Sequence, residues 1–415
     1  MTFVADDWPV FWEEAAGANV RDADGNVYLD LTGGFGVALL GHSDPGVVAA
    51  VREQAGALIH GLGDVHPPAL KVVLLERLAG LSPWEGARVV LTSTGSEAVE
   101  IALKTAQLST GRPGVLAFEG GYHGLTLGSL AVTSRELFRR PFERRLYQGV
   151  AFAPFPEPWR GLGPSATECL DQVAELLRRG AANGDEIGTL VIEPVQGRAG
   201  VRVPPEGFME GLSSLAAEAG VLVIADEVLT GMGRCGATFA SELVGLQPDL
   251  ICIGKALGAG LPLAACLAAP AIMDAWPESR GEAIHTSTFL GHPLACAAAL
   301  AALDEAAAGV RHTRVVERGA RLLDRLGELL SEIAGVGDVR GLGLLVGVEL
   351  VERDGVTPAQ GAAARVASLA LEKGLLVLPA GEYGQVVELM PPMVVTDEQL
   401  DFAVEVLVRA IGQGS

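Results

Sequence analysis

Basic residues and aromatic residues are both scarce in this sequence. Lys and Arg total 30 against 51 Asp and Glu, which gives a formal charge of -21 at pH 7, and we find no cluster of Lys and Arg that offsets it. Such a surface repels phosphate backbones and anionic membrane faces, so nucleic acid is not expected as a partner. Aromatic residues make up 5% of the chain, so the core must be built from smaller side chains, chiefly Ala and Val.

Cysteines are few, and the chain lacks an uninterrupted apolar run. The five cysteines are Cys169, Cys235, Cys252, Cys266 and Cys296. An odd, scattered set does not suit a disulfide framework, so we expect buried thiols in a cytoplasmic protein. The most apolar stretch, residues 256–273, is broken by two glycines and two prolines, which argues against a membrane span. Residues 1–12 lack the basic start and apolar core of a signal peptide.

The length and the order of the apolar segments predict an α/β fold. At 415 residues the chain exceeds what one hydrophobic core usually serves, so we expect two domains. Between residues 88 and 266, short apolar segments alternate with amphipathic ones, which is typical of a mostly parallel sheet with helices on both faces. The expected buried strands are Arg88–Thr92, Gly114–Phe118, Thr189–Ile192, Val221–Ala225 and Leu250–Ile253. Ligands of such sheets bind at the carboxyl ends of the strands.

The two ends of the chain predict a smaller α+β domain. We expect one glycine-punctuated strand at Gly341–Leu350 and a final helix that the capping box Thr396-Asp397-Glu398-Gln399 opens. Near the N-terminus, Asn19–Asp30 has a turn signal at Asp24-Gly25 and predicts a hairpin. We expect this hairpin to pack with the C-terminal part of the chain.

Three strand ends carry residues that are suited to chemistry. Gly95 and Ser96 open a helix whose N–H groups and dipole can hold a phosphate, although a plain N-terminal cap explains the same residues. Asp226 ends a second strand, where its carboxylate can keep a heterocyclic nitrogen protonated; a cap, an ion pair or a metal ligand are the alternatives. Lys255 follows a third strand, where desolvation favours the nucleophilic amine, although a structural lysine is the commoner case.

Taken together, these residues predict a site for pyridoxal phosphate. That cofactor needs an anchor for its phosphate, contacts on both faces of its ring, an acid beside the ring nitrogen and a lysine that forms a Schiff base. Tyr122 and Val228 can cover the two ring faces, Asp226 can pair with the nitrogen, and Lys255 can form the Schiff base. We expect no metal site.

The chain closely resembles the class III pyridoxal-phosphate aminotransferases, which include ornithine, 4-aminobutyrate and ω-amine:pyruvate aminotransferases. The resemblance covers almost the whole chain and rests on Val27-Tyr28-Leu29-Asp30, Gly41-His42, Gly121-Tyr122-His123-Gly124, Ile192-Glu193-Pro194-Val195-Gln196-Gly197, Lys255-Ala256-Leu257-Gly258 and Gly291-His292-Pro293-Leu294-Ala295-Cys296. It implies the type I transferase fold, in which a large domain, residues 46–304, has a mostly parallel seven-stranded sheet. Residues 1–45 and 305–415 would form the small α+β domain, and two chains would form a homodimer with active sites at the interface.

The resemblance also implies a role for each matched residue. Lys255 and Asp226 are the expected catalytic residues. The expected cofactor-binding residues are Gly95, Ser96, Tyr122, Asp226, Val228, Lys255 and Thr288, of which Thr288 would reach the phosphate across the dimer interface. The candidates for the substrate side are Phe35, Glu193, Arg198 and Glu388.

Glu388 is the largest departure from the family pattern. It stands where many members carry an arginine that grips the substrate carboxylate. A carboxylate there would repel an α-carboxylate and attract a distal ammonium, which suggests a diamine donor; alternatively, Glu388 faces solvent or pairs with a nearby arginine. Arg198 is a candidate for the missing grip, unless it is an ordinary exposed loop residue. Leu229 replaces a glutamine of the 2-oxoglutarate-using branches and looks more like the amine:pyruvate branch.

The expected reaction is a ping-pong transfer of an amino group from an ω-amine, diamine or amino acid to pyruvate or 2-oxoglutarate. The cofactor would alternate between pyridoxal phosphate and pyridoxamine phosphate. Lys255 would move a proton between the substrate carbon and the cofactor carbon. An amino-acid racemase or an aminomutase is the alternative, because the same lysine and cofactor can return the proton or the amine differently.

Overall fold

The computed structural model describes residues 10–157, 163–307, 310–331 and 333–414. The prediction that residues 1–12 do not form a signal peptide concerns a segment of which the structure describes only residues 10–12. The strands are β1 Trp12–Ala16, β2 Asn19–Asp22, β3 Val27–Asp30, β4 Arg88–Thr92, β5 Gly114–Phe118, β6 Val150–Ala153, β7 Ile187–Ile192, β8 Leu222–Glu227, β9 Leu250–Ile253, β10 Ala264–Ala268, β11 Val336–Leu342, β12 Leu345–Leu350, β13 Leu375–Leu376, β14 Leu378–Ala380 and β15 Val386–Leu389.

The helices alternate with these strands through the middle of the chain. They are α1 Gly33–Gly36, α2 Pro45–Ala57, α3 Ala69–Leu81, α4 Gly95–Thr110, α5 Leu127–Val132, α6 Glu136–Arg139, α7 Ala166–Arg179, α8 Phe208–Ala219, α9 Ser241–Val244, α10 Pro270–Met273, α11 Pro293–Ala307, α12 Val310–Leu330, α13 Ala362–Leu371 and α14 Asp397–Gly414. In the part of the chain that the structure describes, no helix is long and apolar enough to cross a membrane.

A seven-stranded sheet forms the centre of the larger part of the molecule. Its strand order is β4-β10-β9-β8-β7-β5-β6. Only β10 runs antiparallel to its neighbours, β4 and β9, and the other pairs are parallel. Strands β5, β7, β9 and β10 are buried along their whole length, as a sheet covered by helices on both faces requires. The expected α/β class with a mostly parallel seven-stranded sheet is confirmed.

The sequence pattern located these central strands well. Three have the expected bounds, and β7 and β8 each extend two residues beyond the expected segment at one end. In β8 the extension includes Asp226 and Glu227, since both remain paired with β9. A run of apolar residues predicts a strand only as far as Ala225, because Asp226 and Glu227 are charged.

Two four-stranded sheets form the smaller part, in the orders β1-β2-β3-β13 and β11-β12-β15-β14. The hairpin of β2 and β3 is present, and β3 pairs in parallel with β13, so the predicted contact with the C-terminal part is confirmed. The prediction of one strand at 341–350 is wrong. The chain instead turns at Gly343, whose φ is 58°, and β11 and β12 pair as an antiparallel hairpin, because a glycine allows the positive φ that such a turn needs.

The final helix begins as predicted. The Thr396 hydroxyl accepts from the Gln399 N–H, and the Gln399 side chain accepts from the Thr396 N–H, which completes the capping box. The apolar face of α14 packs into a core that also contains α13 and the strands of the smaller sheets. All five cysteines are buried free thiols, as expected.

Candidate active site

Three strand ends of the seven-stranded sheet meet around one cavity of about 420 Å³. Gly95 follows β4, Asp226 lies near the end of β8, and Lys255 comes two residues after β9. Since β8 and β9 are parallel neighbours, with Asp226 opposite Cys252, their carboxyl ends lie side by side. The cavity is lined by Val37, Ser93, Thr94, Gly95, Ser96, Tyr122, His123, Gly124, Glu193, Arg198, Asp226, Val228, Leu229, Lys255, Gly260, Leu261, Pro262 and Leu263.

The N-terminus of α4 forms one wall of this cavity. Thr94 caps the helix by accepting from the Glu97 N–H, and the Glu97 carboxylate accepts from the N–H groups of Ser93 and Thr94. The plain capping interpretation is therefore correct for Thr94. It does not exclude an anion site, because the N–H groups of Gly95 and Ser96 in the first turn have no intrahelical acceptor. The Ser96 hydroxyl accepts from the Leu125 N–H at 3.4 Å.

Gly95 is next to Val228, which makes the size of its side chain critical. A Cβ atom at position 95 would lie 2.8 Å from Val228 Cγ1, closer than carbon atoms pack. We predict that Gly95→Ala pushes Val228 into the cavity and weakens cofactor binding about tenfold, in line with the usual 1–3 kcal/mol cost of overpacking. The dissociation constant of the cofactor, measured by absorbance titration of the apoprotein, tests this.

Gly56→Ala is the matched control, because a Cβ there has no neighbour within 4 Å. Cofactor binding should be unchanged in this variant. If Gly95→Ala and the wild type bound the cofactor with equal affinity, the prediction that position 95 borders the bound cofactor would be wrong.

Asp226 is held between a backbone donor and a histidine. Its Oδ1 accepts from the Val228 N–H at 3.1 Å, and His123 Nδ1 lies 2.7 Å from its Oδ2. His123 is fully buried, and burial lowers the pKa of its imidazole. The hydrogen bond and charge of Asp226 outweigh burial, so the net pKa of His123 is raised. The pair places a fixed carboxylate at the cavity wall.

Lys255 lies in a 3-10 turn after β9, with a positive φ of 42°. Burial lowers the pKa of its amine, although the nearby carboxylates of Asp226, Glu193 and Glu388 oppose this shift. Gly36 lies beside the lysine stem, and a Cβ there would meet Leu229 Cδ1 at 2.8 Å and Lys255 Cδ at an ordinary contact distance of 3.7 Å. The result is an amine that is easier to deprotonate than an exposed one and that opens into the cavity.

Glu193 and Tyr122 also line the cavity and are joined by a hydrogen bond. Glu193 Oε1 accepts from the Tyr122 N–H at 3.0 Å, and its Oε2 accepts from the Gly197 N–H at 3.1 Å. Burial, assisted by the charge of Asp226, raises the pKa of Glu193 to about 7. The Tyr122 ring lines the cavity and packs edge-on against Phe138 at 5.8 Å between ring centroids.

Glu388 is fully buried on β15, which excludes the interpretation that it faces solvent. Its Oε2 lies 3.7 Å from Arg198 Nη1, so it pairs with an arginine. Arg198 lines the cavity, whereas Glu388 does not, and a Cβ at Gly197 would lie 3.6 Å from Glu388 Oε1. Burial raises the pKa of Glu388 against the opposing charges of Arg198 and Lys255.

Besides Glu388, two predicted residues, Phe35 and Thr288, do not line the cavity of their own chain. The Phe35 side chain is 60% exposed and borders a separate depression of about 300 Å³. Thr288 is exposed and does not line the cavity. One residue at the site, His123, received no role from the sequence, because its contact with Asp226 joins positions 103 residues apart. Its place beside Tyr122 in the family motif was the available signal.

A strand-end lysine of lowered pKa, a fixed carboxylate and an open helix N-terminus on a doubly covered sheet define an enzyme of amine and carbonyl chemistry. The family model for class III aminotransferases matches residues 3–411, and the chain belongs to this family.

Named relatives and solved structures agree with this assignment. The chain is 35% identical to an acetylornithine aminotransferase of Methanothermobacter thermautotrophicus, over 97% of this chain and 94% of that one. It is 34% identical to an alanine/serine racemase of Pyrococcus horikoshii, over 97% and 86%. An amine transaminase from an uncultivated Pseudomonas species, solved with pyridoxal phosphate bound, superposes with a TM-score of 0.89 at 33% identity, over 98% of this chain and 95% of that one.

The protein is a pyridoxal-phosphate-dependent aminotransferase, and the residues present fit that cofactor. The side-chain-free Gly95 keeps the helix N-terminus open to a phosphate, and the paired Asp226 carboxylate suits a protonated ring nitrogen. Lys255, which lines the same cavity, would supply the amine that the cofactor aldehyde requires.

Proposed function

We propose that this aminotransferase passes the amino group to a small keto acid of the pyruvate type, and that Arg198 binds the carboxylate of that acid. The observation that supports this most is the place of Arg198. Apart from Lys255 it contributes the only Lys or Arg side chain among the described residues that line the cavity. A guanidinium holds a carboxylate by paired, charge-assisted hydrogen bonds.

The surroundings of Arg198 favour a small acceptor and a donor with an apolar body. Val37, Leu229, Leu261 and Leu263 line the cavity, and none of them offers a second carboxylate a hydrogen bond. We therefore favour pyruvate over 2-oxoglutarate as the acceptor, and an ω-amine or a simple amino acid over a diamine as the donor. The diamine hypothesis loses support because Glu388 does not line the cavity and already has Arg198 beside it.

The roles proposed for the other site residues follow from their positions. When bound, pyridoxal phosphate supplies an electron sink for the bonds at the substrate's amine-bearing carbon. Lys255 anchors the cofactor and then carries a proton from that carbon at its Nζ. Asp226, oriented by His123, keeps the ring nitrogen protonated, while Gly95 and Ser96 hold the phosphate and Tyr122 and Val228 cover the ring.

Removing the Arg198 guanidinium tests the acceptor proposal. Because a lone Arg198→Gln change would leave Glu388 buried without its cation, the comparison is between Glu388→Gln and the double variant Arg198→Gln/Glu388→Gln. We predict that the double variant loses about 10- to 100-fold in kcat/KM for pyruvate, the usual worth of a hydrogen bond to a charged group. Steady-state rates with pyruvate and with butanal, an acceptor without a carboxylate, measure this.

Butanal serves as the internal control, since its kcat/KM should be the same in both variants. If kcat/KM fell by the same factor for pyruvate and for butanal, Arg198 would support the structure and would not select the acceptor.

The racemase relative supports a second candidate, interconversion of amino-acid enantiomers. An amino donor alone, without a keto acid, separates the two. An aminotransferase should stop after one turnover with its cofactor aminated, whereas a racemase should continue and lose the optical activity of the donor.

The proposed assembly is a cytoplasmic homodimer with a large domain at residues 46–304 and a small domain at 1–45 and 305–415. Leu58, Ile59, Leu62, Val65 and Phe289 form an exposed apolar surface, and the ring contact of His60 with Phe289 at 5.5 Å joins its two segments. Thr288 lies beside it, where it could reach the phosphate of a second copy. Five buried free thiols support a reducing compartment. Sedimentation velocity distinguishes a dimer from a monomer.

A further inference from the structure

Glu388 is a buried carboxyl group that has charge near it but no hydrogen bond. Neither of its carboxyl oxygens meets a donor among the described residues. The Arg198 Nη1 atom, 3.7 Å from Oε2, is beyond hydrogen-bond distance. A carboxylate without hydrogen bonds is costly to bury, so its ionised form depends on the cations around it.

Only one of those cations is free to move. The charges that act on Glu388 come from Arg198, Lys255 and Arg234. Arg234 is fully buried and donates to the carbonyls of Leu344, Pro391 and Gly36. Lys255 would be covalently attached to the cofactor in the loaded enzyme and so would not be free to move.

The residues directly opposite Glu388 carry no charge, and the one carboxylate of β12, Glu349, is buried and paired with Arg340 at 2.6 Å. The register partners of Glu388 are Gly347 on β12 and Leu378 on β14. Arg198, by contrast, belongs to the loop after β7, and its side chain is 31% exposed. The protein contact it donates to, the Pro379 carbonyl, is long at 3.4 Å. Arg198 can therefore turn toward a ligand, and the main cost of this movement is that it leaves the buried Glu388 carboxylate without its nearest cation.

We infer that a carboxylate bound in the cavity draws Arg198 away from Glu388, and that Glu388 then takes up one proton from solvent. This inference rests on the proposed function, in which Arg198 binds the acceptor carboxylate. The charges balance, because the guanidinium keeps its proton, the ligand brings one negative charge, and one H⁺ neutralises Glu388. Burial already raises the pKa of Glu388, and removal of its mobile cation raises that pKa further.

This coupling between carboxylate binding at Arg198 and proton uptake at Glu388 makes Glu388 a specificity-determining residue for the acceptor. An amine without a carboxylate leaves the pair of Arg198 and Glu388 intact, whereas a keto acid must separate it. Because the complex holds one more proton than the free enzyme, carboxylate binding should strengthen as the pH falls through the pKa of Glu388 in the complex. It should level off below the pKa of Glu388 in the free enzyme.

The experiment uses the cofactor-loaded enzyme and propionate, which has the size and charge of pyruvate without its reactive carbonyl. Calorimetric titration in buffers of different ionisation enthalpy counts the protons taken up, and repetition across pH 6–9 gives the dissociation constant. We expect uptake approaching one proton and a dissociation constant that rises up to about tenfold per pH unit where the coupling acts. Propionamide, which differs only in charge, should show neither effect.

Glu388→Gln identifies the group that takes up the proton, and Glu388→Met is the second variant if Gln perturbs the fold. Both should bind propionate with a flat pH dependence and without the proton uptake of the wild type. If the wild type binds propionate with uptake that persists in these variants, or with none, the coupling is wrong while the role of Arg198 stands. If Arg198→Gln/Glu388→Gln binds propionate as well as Glu388→Gln does, the proposed function itself fails.

Discussion

Replacement of Lys255 by alanine is expected to reduce turnover by at least about 10³-fold, because proton transfer by a positioned group contributes 10²–10⁴ and the covalent anchor is lost as well. The lysine amine opens into the cavity beside Asp226, and its lowered pKa favours the form that accepts a proton. No other lysine lines the cavity among the described residues. Single-turnover rates with an amino donor, followed by the absorbance of the cofactor, measure the loss.

Two further measurements separate catalysis from stability. Added ethylamine should partly restore the Lys255→Ala rate, because a small free amine can carry the missing proton, and restoration of this kind would not follow from repair of a misfolded protein. Lys373→Ala, at an exposed position, should leave the rate unchanged. A Lys255→Ala enzyme within tenfold of the wild type would exclude Lys255 as the catalytic base.

The Asp226→Asn substitution is expected to lower turnover by about 10²- to 10³-fold, which corresponds to about 3–4 kcal/mol of activation free energy. Asparagine keeps the size of the side chain but removes the charge beside the ring nitrogen. The same change removes the hydrogen bond and charge that raise the pKa of His123, so the imidazole should lose its extra proton. The NMR chemical shift of His123 across pH reports this second effect independently of activity.

Asp249→Asn is the matched control. Asp249 precedes β9 at the opposite end of the same sheet, and its carboxylate accepts from the Val223 N–H at 2.8 Å. A comparable fall in turnover for Asp249→Asn would mean that the loss in Asp226→Asn reflects disturbance of the sheet.

The sequence predicted the central sheet because buried parallel strands have a plain signature. Gly114–Phe118 and Leu250–Ile253 have the expected bounds, since each is an apolar run bounded by polar or glycine residues. The sequence predicts one strand at residues 341–350, where the structure has the end of β11, a turn and β12, because the glycines leave the alternation of side chains unclear. The positive φ of Gly343 determines the turn, and a conformation of this kind cannot be read from residue type alone.

The site was predictable where one strand end determines a position, and less so where two distant segments meet. Gly95, Asp226 and Lys255 lie together because their strands share a sheet, which the pattern already indicated. The partner of Glu388 depends on how β15 meets the loop that carries Arg198. Sequence spacing does not determine that contact, so the sequence alone leaves open a role toward a distal ammonium, exposure to solvent and a pair with an arginine.

The origin of the site in two separate sheets has a consequence for how such an enzyme changes over time. Gly95, Asp226 and Lys255 all depend on the seven-stranded sheet, whereas Glu388 comes from β15 of a four-stranded one. If Glu388 has the proposed role, mutations in β14, β15 and their connection would alter the preference for the acceptor and leave the residues around the cofactor unchanged. The same division would give the protein engineer a short segment, residues 378–389, in which to select new keto-acid preferences.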